Sequence, residues 1–183
     1  MKATKMLQDE HRVIERFLHV LAKLADRAEK GRIEEEKFSQ VLDFIQTFAD
    51  RCHHGKEEDV LYPLLEKKGI PKVGGPIGMM LFEHEEGRGY VAGLTKAIEG
   101  YRSGKNTKEE IIENARGYIG ILENHIPKED NILYPMGEQV LSPQDDSNLI
   151  SEFEKIEKER IVPGKHEEYH RLIERLEKEI KND

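Results

Sequence analysis

The stretch "HHGKEEDVLYP" (residues 53–63) decides the fold, because the chain spells it twice: "HIPKEDNILYP" stands at 125–135. Aligned on Pro63 and Pro135, His53 matches His125 and Glu57 matches Glu129. In each copy a histidine and a glutamate stand four apart, and helix positions i and i+4 share a face. The repeat predicts two copies of one helical hairpin, each with a His/Glu pair late in its second helix. The first copy also holds a rival pair, His54/Glu58. Helical steps from His53 reach Ile45, Ala49, Val60 and Leu64, whereas steps back from His54 reach Gln46 and Asp50. Neighbouring residues lie ~100° apart around a helix of about 3.6 residues per turn. His53/Glu57 thus reads as the core-facing pair. His54/Glu58 read as polar neighbours, available at most as outer or alternate ligands.

The apolar pattern supplies the remaining helices. Leu7, His11, Ile14, Leu18, Leu21, Ala25 and Ala28 alternate steps of four and three, the seam of a bundle helix, and Gly31 stops it. Phe38, Leu42, Ile45 and Ala49 open a second seam that runs toward Gly69. After the connector "GIPKVGGPIG" comes a third, through Met80, His84, Gly87, Val91, Leu94, Ile98 and Tyr101, ending at Gly104. Thr107 with Glu110 reads as a capping box. It opens a fourth seam through Ile111, Ala115, Tyr118, Leu122, His125, Glu129, Ile132 and Met136. Pro127 inside that helix removes a hydrogen bond and predicts a kink. Ser142 then caps a further helix with Pro143 in its first turn, and Pro163-Gly164 separates it from a last one. Their seams are Leu149, Phe153 and Ile156, then His166, Tyr169, Ile173, Leu176 and Ile180. The expected fold is all-α: an antiparallel four-helix bundle over residues 1–140, with a C-terminal helical extension over 141–183 packed on it.

Histidines occupy apolar positions in three of these seams, at His11, His84 and His125. A buried imidazole costs free energy unless its nitrogens are satisfied. Their depths agree. His11 lies 20 residues before Gly31 and His53 lies 22 after it; His84 lies 20 before Gly104 and His125 lies 21 after it. In an antiparallel pair, equal distance from the turn means equal height. Four histidines are therefore expected at one level of the core, joined by the carboxylates of Glu57 and Glu129. A carboxylate on a core seam calls for a cation, and histidine with carboxylate suits iron, manganese or zinc.

Composition narrows the function classes. The 183 residues suffice for one domain with a core. The net charge of −8, with no basic stripe, argues against a nucleic-acid partner. A single cysteine allows no intramolecular disulfide, which suits a reducing compartment. No run is long and apolar enough for a membrane span, and no apolar signal core opens the chain. A cytoplasmic location with no membrane partner is expected.

The ordered set of a first-helix His, an H-x3-E, a third-helix His and a second H-x3-E resembles the hemerythrin-like HHE cation-binding domain family over residues 4–140. The resemblance implies a non-haem di-iron centre in a four-helix bundle. His11, His53, His84 and His125 would be nitrogen ligands, and Glu57 and Glu129 bridging carboxylates. Two iron ions are the implied cofactor, with manganese or zinc left open by ligand chemistry. The implied function is binding of, or reaction with, O2, NO or peroxide. The implied partner is that small diatomic or peroxide ligand, with no protein partner identified. An iron-sulfur cluster repair or peroxide-removing enzyme is one alternative. A helical interaction protein with a structural or stored metal is another. The chain departs from the oxygen carriers in having Arg88 where they place a second third-helix histidine. That leaves one metal short of a protein ligand, or lets the arginine close the pocket. The carriers also use H-x4-D on helix four, so Asp130 competes with Glu129.

Other motifs have plainer readings. "HEEYH" (166–170) matches the H-E-x-x-H zinc-protease pattern, but no third ligand accompanies it. Cys52 reads as a small buried apolar residue. Glu83 reads as a solvated helix residue or as an outer acceptor for a neighbouring histidine. The Gly-rich connector lacks the Lys-Ser/Thr of a phosphate loop.

Overall fold

The computed structural model describes residues 1–181, and among them six helices and no strand. Helix α1 is Lys2–Glu29. Helix α2 spans 35–67, α3 is Pro76–Arg102, and α4 spans 108–140. Helices α5 (Pro143–Arg160) and α6 (Lys165–Lys181) form the extension. No helix among the described residues is long and apolar enough to cross a membrane.

The two hairpin turns are built alike. Gly31 and Gly104 sit at φ +88° and +83°, a region open to glycine because it lacks a Cβ. Behind them Arg32 N–H donates to the Arg27 carbonyl and Lys105 N–H to the Gly100 carbonyl, the long bond of a Schellman turn. The fourth helix starts differently from the expectation. Thr107 forms no side-chain cap; its hydroxyl donates instead to the Ala97 carbonyl at 2.7 Å and ties the turn to α3. Ser142 does cap α5, in a reciprocal box with Asp145.

Helices α2 and α4 are not α-helical throughout. Helix α2 is π-helical over Ile45–His54 and Glu57–Leu61, and α4 over Glu129–Leu133. A π turn bonds i to i+5 and so takes one more residue than an α turn. This shifts the seams. Leu61 and Leu65 are buried where a regular helix would bury Val60 and Leu64, and Leu133 is buried while Ile132 is 53% exposed. The α4 shift begins two residues after Pro127, which has no N–H to donate.

The apolar core falls into two clusters. One holds Ile14, Phe17, Phe44, Leu94 and Ile119 near the hairpin turns. The other holds Leu7, Leu61, Met80 and Leu133 at the opposite end. In α1, α2 and α3 the buried histidines stand between residues of the two clusters, as Glu129 does in α4. The extension packs on both: Leu149 and Phe153 join the second, and Tyr169, Ile173 and Leu176 the first. Tyr169 meets Phe44 edge-on at 5.2 Å between ring centroids.

Candidate metal centre

The polar layer holds His11, His53, His54, His84, His125, Glu57 and Glu129, each at most 5% exposed. Their ligand-type atoms form two groups: His54, His84 and His125, and His11, His53, Glu57 and Glu129. Within each group these atoms lie inside 4.8 Å of one another. The carboxylates join the groups. Oε2 of Glu57 is 3.6 Å from Nε2 of both His53 and His84. Oε2 of Glu129 is 3.2 Å from Nε2 of His11 and 3.1 Å from Nε2 of His125.

All six residues singled out from the sequence thus meet in one layer. His54 meets them too, contrary to the spacing argument. The π turns explain this: a wider turn spaces neighbours by a smaller angle, so His53 and His54 both face inward. The His54 ring stacks on His84 at 3.8 Å. It supplies the third imidazole of a group that seemed one short. Arg88 does not enter the layer; its Nε and Nη2 donate to Asp50 at 2.8 Å and Glu58 at 2.7 Å.

Every one of the five imidazoles has its Nδ1 on a carboxylate. His11 pairs with Asp130 at 2.7 Å, His53 with Glu10 at 2.8 Å, and His84 with Glu58 at 2.6 Å. His125 pairs with Glu83 at 2.9 Å and His54 with Asp50 at 3.3 Å. A carboxylate on Nδ1 fixes the tautomer that carries hydrogen there and leaves Nε2 as a lone pair, the outer support typical of metal-binding histidines. Asp130 is therefore an outer partner, and Glu83 is a buried acceptor rather than a solvated residue.

This arrangement is duplicated. The acid just before His11 holds His53, and the acid just before His84 holds His125. The acid after Glu57 holds His84, and the acid after Glu129 holds His11. Lys56 bonds Glu10, and Lys128 bonds Glu83. The tyrosines of the two "LYP" endings cross over: Tyr62 donates to Oε1 of Glu129, and Tyr134 to Oε1 of Glu57 at 2.5 Å. Sequence reasoning missed Glu10, Asp50 and Lys56. The paired dipeptides Glu10-His11 and Glu83-His84 were the available signal.

Two features break the symmetry. His54 corresponds to Ile126 in the second copy. Lys56 is fully buried and also reaches Glu157 of α5 at 3.3 Å, while the Lys128 side chain is 39% exposed.

Burial and neighbouring charge set the protonation of the layer. Burial pulls His53 down to about 4 and, with the charge of His84, holds His54 well below its ordinary value. At His11 burial acts the same way, but the hydrogen bond to Asp130 and the charge of Glu129 outweigh it and lift the ring to about 9. Burial and the charge of Glu129 push Glu57 far above the usual carboxylate range. Burial opposes ionisation of Glu129 too, yet the charges of His125 and His11 hold it well below that range. Protons here neutralise a site built from lone pairs. Nε2 of His11 and Oε2 of both Glu57 and Glu129 are buried and form no hydrogen bond among the described residues. These orphaned atoms converge on the centre, and cations would satisfy them.

The remaining motifs stay apart from this layer. In "HEEYH" the side chain of His166 is half-buried against Glu157, while His170 is exposed. Cys52 is buried, and burial pushes its thiol up to about 12.

The family model of the hemerythrin HHE cation binding domain matches residues 2–137. No curated protein matches the chain.

Proposed function

Because the chain belongs to the hemerythrin HHE cation-binding domain family, we propose that its polar layer holds two iron ions and binds or reacts with O2, NO or peroxide. His54, His84 and His125 would hold one ion and His11 and His53 the other, with Glu57 and Glu129 offering a carboxylate to both. The observation that carries this reading is the reach of those two carboxylates, each of which approaches an imidazole of both groups. Imidazole with carboxylate also suits manganese and zinc; the family favours iron.

Bound iron would supply electrons and a coordination position for a small oxygen- or nitrogen-containing ligand. The protein's own contribution is positional. Five outer carboxylates hold the imidazole tautomers, two tyrosines donate to Oε1 of Glu57 and Glu129, and apolar clusters lie on either side. Loading the purified chain with ferrous iron under anaerobic conditions tests the proposal. Two irons per chain, with a Mössbauer spectrum of a coupled pair after oxidation, are expected. Fewer than one iron per chain overturns it.

A further inference from the structure

The π run of α2 over Ile45–His54 is ten residues long, whereas π geometry is mostly confined to single turns inside α-helices. A run of that length needs support from outside the helix. The C-terminal extension takes a backbone carbonyl near each end of it. The Tyr169 hydroxyl of α6 donates to the Asp43 carbonyl at 3.2 Å. Nη1 of Arg160, the last residue of α5, donates to the Arg51 carbonyl at 3.0 Å. Between these anchors the His166 ring meets Phe48 edge-on at 5.2 Å between centroids.

The Arg160 anchor falls beside the metal layer. Its guanidinium rests on Gly55, where a Cβ would overlap Nη1, and its Nη2 pairs with Asp59 on the next turn. Gly55 directly follows His54, and its N–H reaches back five residues to the Asp50 carbonyl, the bond that defines a π turn. The Asp50 side chain in turn holds Nδ1 of His54. The hydrogen bond from Arg160 thus lands on the widened turn that carries His54 inward. In the second copy Pro127 stands at the place of Gly55, and Ile126 at the place of His54. The glycine that admits the guanidinium and the additional imidazole occur in the same copy.

We propose that Arg160 is a positioning residue for the three-imidazole group: by holding the Arg51 carbonyl over Gly55, it keeps the π turn that presents His54 to a metal. The proposal rests on the metal reading above. It adds that the C-terminal extension, which lies beyond the residues 2–137 matched by the family model, helps to build the centre.

Proton NMR of the full chain loaded with cobalt(II), a paramagnetic probe, tests it. A ring bound through Nε2 keeps its hydrogen on Nδ1, so each coordinated imidazole gives one shifted signal that vanishes in deuterium oxide. Five are expected, one for each ring held on a carboxylate, and His54→Ala marks the signal of His54. Arg160→Ala should remove that signal alone and weaken cobalt binding roughly 10–100-fold, the range for loss of an outer partner. Arg160→Lys should restore it, since one ammonium hydrogen suffices for the Arg51 carbonyl. Gly55→Ala should reproduce Arg160→Ala by displacing the guanidinium, and should add nothing in the Arg160→Ala background. Alanine is the better helix former, so Gly55→Ala serves if circular dichroism shows that Arg160→Ala does not fold. Five signals unchanged in Arg160→Ala and Gly55→Ala overturn the proposal and leave the metal reading standing. Loss of all five together marks a merely structural residue and overturns it likewise. An unaltered chain with no shifted signals overturns both.

Discussion

His84 and His125 aim their Nε2 atoms at each other across 3.0 Å, while Glu58 and Glu83 take the hydrogens on the far side of the two rings. Two lone pairs at that distance repel unless a proton or cation lies between them. The relationship makes the polar layer a receptor for positive charge, and the consequences can be measured.

His54 should matter as much as the residues that the sequence repeat marks. His54→Ala is expected to weaken metal retention by more than the roughly 10–100-fold that loss of an outer partner costs. Competition with a chelator, read by metal analysis, measures this, with the exposed His19→Ala as control. Unchanged retention would return His54 to the outer role that regular helical spacing assigns it.

Metal binding should release protons. His11 lies at about 9 in the metal-free protein, so at pH 7 it carries a proton that a cation must displace. His53, at about 4, is already neutral and contributes none. Glu57, raised well above the carboxylate range, adds to the release. Apparent affinity should therefore climb with pH through neutrality and level off above about 9. An indicator dye in weak buffer should record at least one proton per chain at pH 7. No release would place the metal away from His11.

The crossed tyrosines should act as a pair. Tyr62→Phe or Tyr134→Phe leaves a buried carboxylate oxygen without its donor, at a cost of about 1–3 kcal/mol. Thermal unfolding of the metal-free protein should show each loss. The double variant should not be additive, because Glu57 and Glu129 share one layer.

Cys52 should be silent in the folded protein. Its thiol is fully buried and pushed up to about 12, so little thiolate forms at pH 8. Iodoacetamide should label it only at the rate of unfolding. Rapid labelling of the native chain would show that the first core cluster opens.

The sequence announces the bundle because seam periodicity, turn glycines and the doubled "LYP" segment all agree. It also announces the height of the layer, since equal distances from Gly31 and Gly104 survive small changes in helix geometry. It does not announce His54, Leu61 or Leu133, because counting along a chain assumes 3.6 residues per turn and the π turns break that count. Nor does it announce Glu10 on His53 or Asp50 on His54 and Arg88. Partners on neighbouring helices, or beneath a widened turn, leave no mark in the spacing along one helix. Thr107 shows the same limit at a cap, where a carbonyl of α3 wins the hydroxyl.

The C-terminal extension covers Lys56 and leaves its twin Lys128 at the surface. Dissolved ions screen an exposed charge pair far better than a buried one. Ionic strength should therefore loosen the brace on His125 and leave the brace on His53 untouched. Two halves built from one pattern then answer to the medium differently, one insulated and one in conversation with it.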